Sequence, residues 1–230
     1  PALGSRSPDS APLPRCATVL ASLCGLSAAV TQAQTDTSLH AAVRSGDAAA
    51  VQRLIGSGAA LDARDAQRQT PLLLAVQGSR SDITRLLIEA GADINAQASN
   101  QDTPWLLAGA RGQADSLGLM IPKGPDLAIR NRFGGNALIP ACERGHVEAI
   151  RVLLTTRIDV NHINNLGWTC LLEIVILGDG GRRHQEATRL VLAAGADPNI
   201  ADKDGVRPLA HARARGQADV ARLIEAAGGR

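Results

Sequence analysis

The sequence predicts an all-α solenoid of about six stacked helix-turn-helix repeats. A short motif, clearest as Thr70-Pro-Leu-Leu, recurs at steps of 33, 33, 33, 33 and 38 residues. A glycine follows most motif starts by nine residues, and a second glycine follows most of them by 21 residues. Repetition at this period is typical of stacked arrays, in which each unit buries its apolar face against its neighbours. The six repeats begin near Thr37, Thr70, Thr103, Asn136, Thr169 and Arg207.

The second repeat shows why each unit should form two helices. Thr70 can cap a helix N-terminus with its hydroxyl, and Pro71 suits the first helical position because its missing N–H costs nothing there. The segment 82–90 places Ile83, Leu86 and Leu87 at helical spacing. Gly91 can then end this second helix in a left-handed conformation.

Three departures from the pattern carry structural expectations. Pro122 should shorten the second helix of the third repeat. Arg157 replaces a helix-ending glycine, at a cost of about 1 kcal/mol if its backbone is left-handed. The five-residue insertion in the fifth repeat should lengthen the segment between its helices, residues 178–184.

The first 33 residues form a separate unit before the repeat domain, 34–230. Residues 17–30 carry no charge, follow Arg6 and Arg15, and precede Thr31-Gln-Ala. This order of positive charge, apolar run and small residues is typical of a secretory signal peptide. A disordered leader is the alternative. Fourteen residues are too short to cross a bilayer core of about 30 Å, so no stable membrane span is expected.

Composition excludes several classes of protein. With 24 basic and 22 acidic residues, the net charge of +2 is far from the basic excess of a nucleic-acid binder. Tyrosine is absent, and the aromatic residues are Trp105, Phe133 and Trp168. The core should therefore consist of Leu, Ile, Val and Ala, with Trp105 at a buried leucine position.

No motif indicates catalysis, a cofactor or a metal. The five histidines fall at different repeat positions without the spacing of a zinc site. For His40 we expect a structural hydrogen bond. Recurring carboxylates such as Asp93, Asp126 and Asp197 occupy one position of the repeat, which indicates turn formation. We therefore predict a protein that is not an enzyme.

Cys142 and Cys170 are predicted to remain free thiols. Cys170 occupies the repeat position of Ala137, five residues before Cys142. Combining that offset, about 7.5 Å, with about 9 Å between stacked helices gives a separation of roughly 12 Å, whereas a disulfide needs less than about 7 Å between Cα atoms.

The chain resembles the ankyrin repeat family through Thr70-Pro-Leu, Leu86-Leu and Gly91-Ala-Asp-Ile-Asn, with counterparts in every repeat. The resemblance covers about 37–230. It implies a continuous concave binding face formed by the inter-repeat turns and the outward side of each first helix.

Mapped onto this sequence, the implied concave face has a central anchor cluster of residue types that dominate binding hot spots. The competing interpretation is that its aromatic residues fold against neighbouring turns while its arginines only solvate the surface. The candidate binding residues are Phe133, Trp168, Arg111, Arg132, Arg144, Arg182 and Arg183.

We expect a monomeric, non-enzymatic module of the bacterial envelope, periplasmic or secreted, that binds a protein partner. Two alternatives stay open: an accessory stress-defence protein that stabilises an envelope enzyme, and an exported effector that binds host proteins.

Overall fold

The computed structural model describes residues 38–230, where every regular element is helical. The predicted signal peptide and Thr37 lie outside the described residues. The elements are α1 (38–45), α2 (Ala48–Gly56), α3 (Pro71–Gln77), α4 (Ser81–Glu89), α5 (Pro104–Ala110), α6 (Ala114–Met120), a 3₁₀ turn (Ile121–Lys123), α7 (Leu138–Glu143), α8 (Val147–Leu153), α9 (Cys170–Leu177), α10 (Arg182–Ala193), α11 (Pro208–Ala214) and α12 (Ala218–Ala226).

These helices form two layers, which confirms the predicted solenoid. The odd-numbered helices from α3 to α11 are the first helices of their repeats and pack on one another in order. The even-numbered second helices from α2 to α12 do the same, and each pair from α3 onward also packs internally. The core between the layers is aliphatic, with Trp105 buried in it as predicted and Leu153 fully enclosed.

The predicted threonine caps start most first helices. The hydroxyls of Thr70, Thr103 and Thr169 accept hydrogen bonds from backbone N–H groups three residues later, at 3.1–3.3 Å. In the fourth repeat Asn136 Oδ1 accepts from the N–H groups of Leu138 and Ile139 instead. Each cap is buried, so the bond satisfies a donor that water cannot reach.

A second recurring bond joins each repeat to the one before it. From the second repeat onward, a side chain at or near the start of each second helix bonds a backbone carbonyl near the end of the first helix of the preceding repeat, beginning with Arg80 and the Arg44 carbonyl. Because the bond crosses the repeat boundary, it fixes how far neighbouring units slide along each other. The other pairs are Gln113 with Val76, His146 with Ala110, His184 with Glu143 and Gln217 with Val175.

The three departures have different outcomes. The expectation for Pro122 is confirmed, because α6 ends at Met120 and Pro122 lies in the 3₁₀ turn. Arg157 is not left-handed, since it is absent from the positive-φ residues, and Thr156 Oγ1 accepts from the Ile158 N–H at this helix end. The cost attached to a left-handed Arg157 therefore does not arise.

The expectation for the insertion is confirmed only in part. The segment between α9 and α10 has four residues, 178–181, against three in the second, third, fourth and sixth repeats, and it does not run to residue 184. Most of the insertion lies in α10, which has 12 residues, whereas α4 and α12 have nine. The extra residues extend the second helix, because Arg182-Arg-His-Gln-Glu-Ala can continue a helical turn while the preceding glycines already complete the loop.

The prediction of free thiols is wrong, because Cys142 and Cys170 form a disulfide with 5.5 Å between their Cα atoms. The sequence estimate placed equal repeat positions at equal heights. In the structure, adjacent first helices are staggered, so the seventh position of one repeat faces the second position of the next. The same close approach recurs one repeat earlier, where a Cβ on Gly109 would lie 3.0 Å from the Ala137 Cβ.

Where the second helices end, a series of side-chain hydrogen bonds connects neighbouring repeats, and we call this series the ladder. Asn95 Oδ1 accepts from the Asp126 N–H at 2.8 Å, and its Nδ2 donates to the Gly124 carbonyl. Asn161 and Asn199 repeat both bonds with the following repeat or the chain terminus. The equivalent position in the third repeat is Ala128, so the ladder is interrupted between the third and fourth repeats.

We predict that Ala128→Asn completes the ladder and raises the free energy of unfolding by about 1 kcal/mol, the usual net contribution of a hydrogen bond. Urea unfolding of both proteins measures the difference. Ala128→Asp, which supplies only the acceptor, is the control and should gain less. An Asn variant no more stable than wild type would show that the third-to-fourth boundary lacks this geometry.

Candidate functional site

Four of the inter-repeat turns are each held by one polar side chain, and the turn at 98–102 has Ala98 at that position. The Oδ1 atoms of Asn131 and Asn164 each accept from backbone N–H groups two and four residues later, at 2.9–3.0 Å. Asp65 and Asp202 do the same in their turns. This pair of hydrogen bonds closes the turn and leaves the side chain two residues after the acceptor at the tip of the turn.

The turn tips at the centre of the array are apolar. The equivalent tip residues are Gln67, Asn100, Phe133, Leu166 and Asp204. Phe133 and Leu166 are 54% and 51% exposed. Their turns are adjacent and directly bonded, because the Asn165 N–H donates to the Phe133 carbonyl at 2.9 Å.

Sequence reasoning found Phe133 but missed Leu166 as an anchor. The signal was available, since the two residues are one 33-residue step apart. Ile163, half exposed in the same turn as Leu166, was also missed.

Trp168 lies in the turn of Leu166 but not at its tip. Its backbone N–H donates to Asn164 Oδ1, and its carbonyl accepts from the Asn164 N–H. The side chain is half-buried. The structure thus brings Trp168 into the same turn as an exposed apolar tip, with less of its ring available than that of Phe133.

Arg132 belongs with Phe133. Its guanidinium carbon lies 4.7 Å from the centroid of the Phe133 ring, which is a cation–π contact. Arg132 also affects Asp102 of the preceding turn. Burial raises the pKa of Asp102, and the positive charge of Arg132 opposes that shift. We call Arg132, Phe133, Leu166 and Trp168 the tip cluster.

Two of the remaining arginines meet at the end of α7. Arg144 donates to the Ala110 carbonyl at 3.2 Å, and Arg183 packs over Gly145. Both positive charges act on His146. Burial lowers the pKa of His146, and the charges of Arg144 and Arg183 lower it further.

Arg111 and Arg182 stand apart from these groups. Arg111 lines a groove between the second and third repeats, and Arg182 is the exposed first residue of α10. Within residues 38–230, none of the five candidate arginines forms an ion pair.

A buried acid lies beneath the tip cluster. Glu173 of α9 is only 4% exposed, and its Oε1 accepts from the Asn164 amide at 2.7 Å. Burial, reinforced by the charge of Glu143, raises the pKa of Glu173 to about 7. Sequence reasoning missed this residue because it stands in an otherwise aliphatic helix, where periodicity gives no sign of its neighbours.

We predict that Glu173→Gln stabilises the protein above pH 7 and not at pH 4.5 or below. The fold disfavours ionised Glu173, so this destabilisation is absent below the ordinary pKa of 4.5, grows up to about pH 7 and is then constant. The gain at pH 8 should be at most about 3 kcal/mol. The free energy of unfolding, compared between variants at pH 4.5 and pH 8, measures it.

Glu143→Gln is the matched control for that measurement. It removes only the neighbouring charge and should reproduce a small part of the gain. An equal difference between wild type and Glu173→Gln at both pH values would contradict the assignment.

The histidines are engaged in structural bonds. His40 contacts the Gln69 carbonyl, which confirms the hydrogen-bonding role expected for it, and His162 contacts the Gly134 carbonyl. His184 lies between Asp179 and the Glu143 carbonyl, and His211 bonds Asp202. Among residues 38–230, no group of three or more His, Cys, Asp or Glu side chains could hold a metal ion.

Two-layered helix pairs joined by bonded turns define the class of ankyrin repeat proteins, and sequence comparison agrees. The chain belongs to the ankyrin repeat family, since the model of three ankyrin repeats matches residues 13–98 and 105–202. Ankyrin repeats are protein–protein interaction modules. Within the described range, no helix is both long enough and apolar enough to cross a bilayer.

Several known proteins are similar to this chain. It is 47% identical over 77 residues to the ankyrin repeat protein YahD of Escherichia coli K12, a match that covers 34% of this chain and 38% of YahD. The ankyrin repeat domain ABAYE2397 of Acinetobacter baumannii AYE is 46% identical, with a TM-score of 0.80, and the match covers 84% of this chain and 98% of that one.

The ankyrin repeat domain of Bcl-3, a member of the IκB protein family, is more distant. It is 30% identical with a TM-score of 0.74, and the match covers 85% of this chain and 87% of that one.

Proposed function

We propose that this chain is a non-enzymatic docking module of the bacterial envelope that binds a protein partner on its concave face, centred on the tip cluster. The observation that carries the proposal is the pair of exposed apolar residues, Phe133 and Leu166, on adjacent bonded turns. Exposed apolar side chains grouped on one surface mark interaction sites. Arginine, here Arg132 over the Phe133 ring, is enriched in binding hot spots.

The charges around the cluster support a partner with acidic character. On the second helices, Arg151, Arg189 and Arg222 are engaged by nearby carboxylates. The candidate arginines have no such partners in the described part of the chain. Their charge is therefore available to steer and orient an acidic surface.

The cluster is also held in place before binding. Asn131 and Asn164 close the two turns, the Asn165 N–H joins them, and the disulfide ties the helices that follow them. A surface fixed in this way loses little conformational entropy on association. We propose that it acts as a monomer, with one concave face per chain.

Two observations support a location in the envelope. The uncharged run at 17–30 follows basic residues, as in secretory signals. The buried disulfide is of the kind that persists in oxidising compartments such as the periplasm.

We predict that Phe133→Ala with Leu166→Ala weakens partner binding at least thirtyfold with little change in melting temperature, since a single hot-spot side chain contributes about 2 kcal/mol or more. Quantitative pull-down from an envelope extract, with melting curves alongside, measures both. Asp204→Ala, at the equivalent tip of the fifth-to-sixth turn, is the matched control.

Retained binding in the double variant would overturn the central role of the tips. Trp168→Ala in the same assay separates two roles: loss of binding alone assigns Trp168 to the interface, and equal loss of binding and melting temperature assigns it to the turn.

We also predict that protein recovered from the periplasmic fraction begins near residue 34 and carries no reactive thiol at Cys142 or Cys170. N-terminal sequencing and alkylation without reductant measure the two features. An uncleaved chain, or alkylated cysteines in natively isolated protein, would contradict the envelope location. The cysteines alkylated after reduction provide the control.

A further inference from the structure

The concave face carries a second surface on the N-terminal side of the tip cluster. A cavity of about 490 Å³ lies between α1, α3 and the turn at 65–69, and a second of about 170 Å³ lies between α3, α5 and the turn at 98–102. Gln69 and Gln77 line both cavities, so the two form one continuous depression.

Side-chain amides line the depression together with charged and aliphatic residues. The charged residues are Arg44, Arg80, Asp102 and Arg111, and the aliphatic residues are Val43, Leu73, Leu74 and Leu107. The amides are Gln67, Gln69, Gln77 and Asn100, and we call these four residues the carboxamide trough. Gln69 Nε2 donates to Gln77 Oε1 at 3.2 Å, which uses one of the two donors of Gln69. Because every carboxamide has two donors and an acceptor oxygen with two lone pairs, both groups retain capacity of each kind.

This chemistry matches a polypeptide backbone better than a small molecule. Small-molecule sites are lined mainly by apolar and aromatic side chains. Each residue of an extended peptide, by contrast, presents one N–H and one C=O, and both must find a partner when buried. A row of carboxamides offers donors and acceptors without requiring a particular side chain.

Positive charge runs along the whole surface. In the first cavity Arg44 is paired with Asp65 at 2.6 Å, whereas Arg80 forms no ion pair within residues 38–230. Arg111 in the second cavity, and Arg132 and Arg144 toward the centre, also form no ion pair in that range. Charge that can attract an acidic segment therefore extends from the trough to the apolar tips.

We propose that the partner presents an extended polypeptide segment, whose backbone lies in the carboxamide trough and whose acidic, apolar stretch lies on the tip cluster. The inference rests on the proposed function and adds the form and chemistry of the partner. From centre to centre, the trough and the tip cluster are about two repeat steps apart, roughly 20 Å at the usual helix spacing. An extended segment of about six residues spans that distance.

A library of random 16-residue peptides displayed on phage tests the proposal with the full chain as bait. The expected consensus has an aromatic or large aliphatic residue beside Asp or Glu, and tolerates many side chains about six residues away. Fluorescence anisotropy of a selected peptide then gives Kd for each variant. Gln69→Ala with Gln77→Ala should weaken binding about tenfold, as expected for two lost hydrogen bonds, and the exposed Gln52→Ala on α2 is the matched control.

N-methylation of backbone amides in the variable part of the peptide should weaken binding to a similar extent. No effect of either the trough variant or N-methylation would overturn the inference. If Phe133→Ala with Leu166→Ala still abolishes binding in that case, the proposed function survives alone. Failure to enrich any peptide, while the envelope pull-down retains a folded partner sensitive to the tip variant, would also overturn the extended segment and leave the docking module standing.

Discussion

Close, staggered stacking of adjacent first helices is the contact on which the rest of the structure depends. It brings the seventh position of one repeat against the second position of the next, as at Gly109 with Ala137 and at Cys142 with Cys170. Only small or bonded side chains fit such an approach. The same stacking sets neighbouring turns side by side, so that the Asn165 N–H can reach the Phe133 carbonyl.

The fold was predictable because the same sequence pattern occurs in six repeats. A repeat that departs from the pattern can still be assigned from its spacing to the others. Pro122, Trp105 and the threonine caps follow from local rules that hold in every context. The stagger did not follow, since a repeat spacing gives equivalent positions but not their relative heights, and the disulfide was therefore missed. The insertion entered α10 because helical residues continue a helix that is already packed.

The candidate site was predictable only in part, for a related reason. Phe133 stands out by its chemistry, whereas Leu166 is an ordinary residue until its position at a turn tip is known. Glu173 is still less visible, because its raised pKa arises from burial and from Glu143, a neighbour on another helix. Residue type can be read from sequence, but exposure and long-range charge belong to the packed array.

Ala128 lacks the side-chain amide of the ladder, and the disulfide lies at the next repeat boundary. The force needed to separate neighbouring repeats should therefore differ between these two boundaries. In a linear array each boundary resists separation with its own contacts, so weak and strong boundaries need not be alike. Under tension applied to the two ends, the seam after the third repeat should part early, while the fourth and fifth repeats stay covalently joined. The segment bearing Phe133 and Leu166 would then detach as one elastic body, with its recognition surface still assembled.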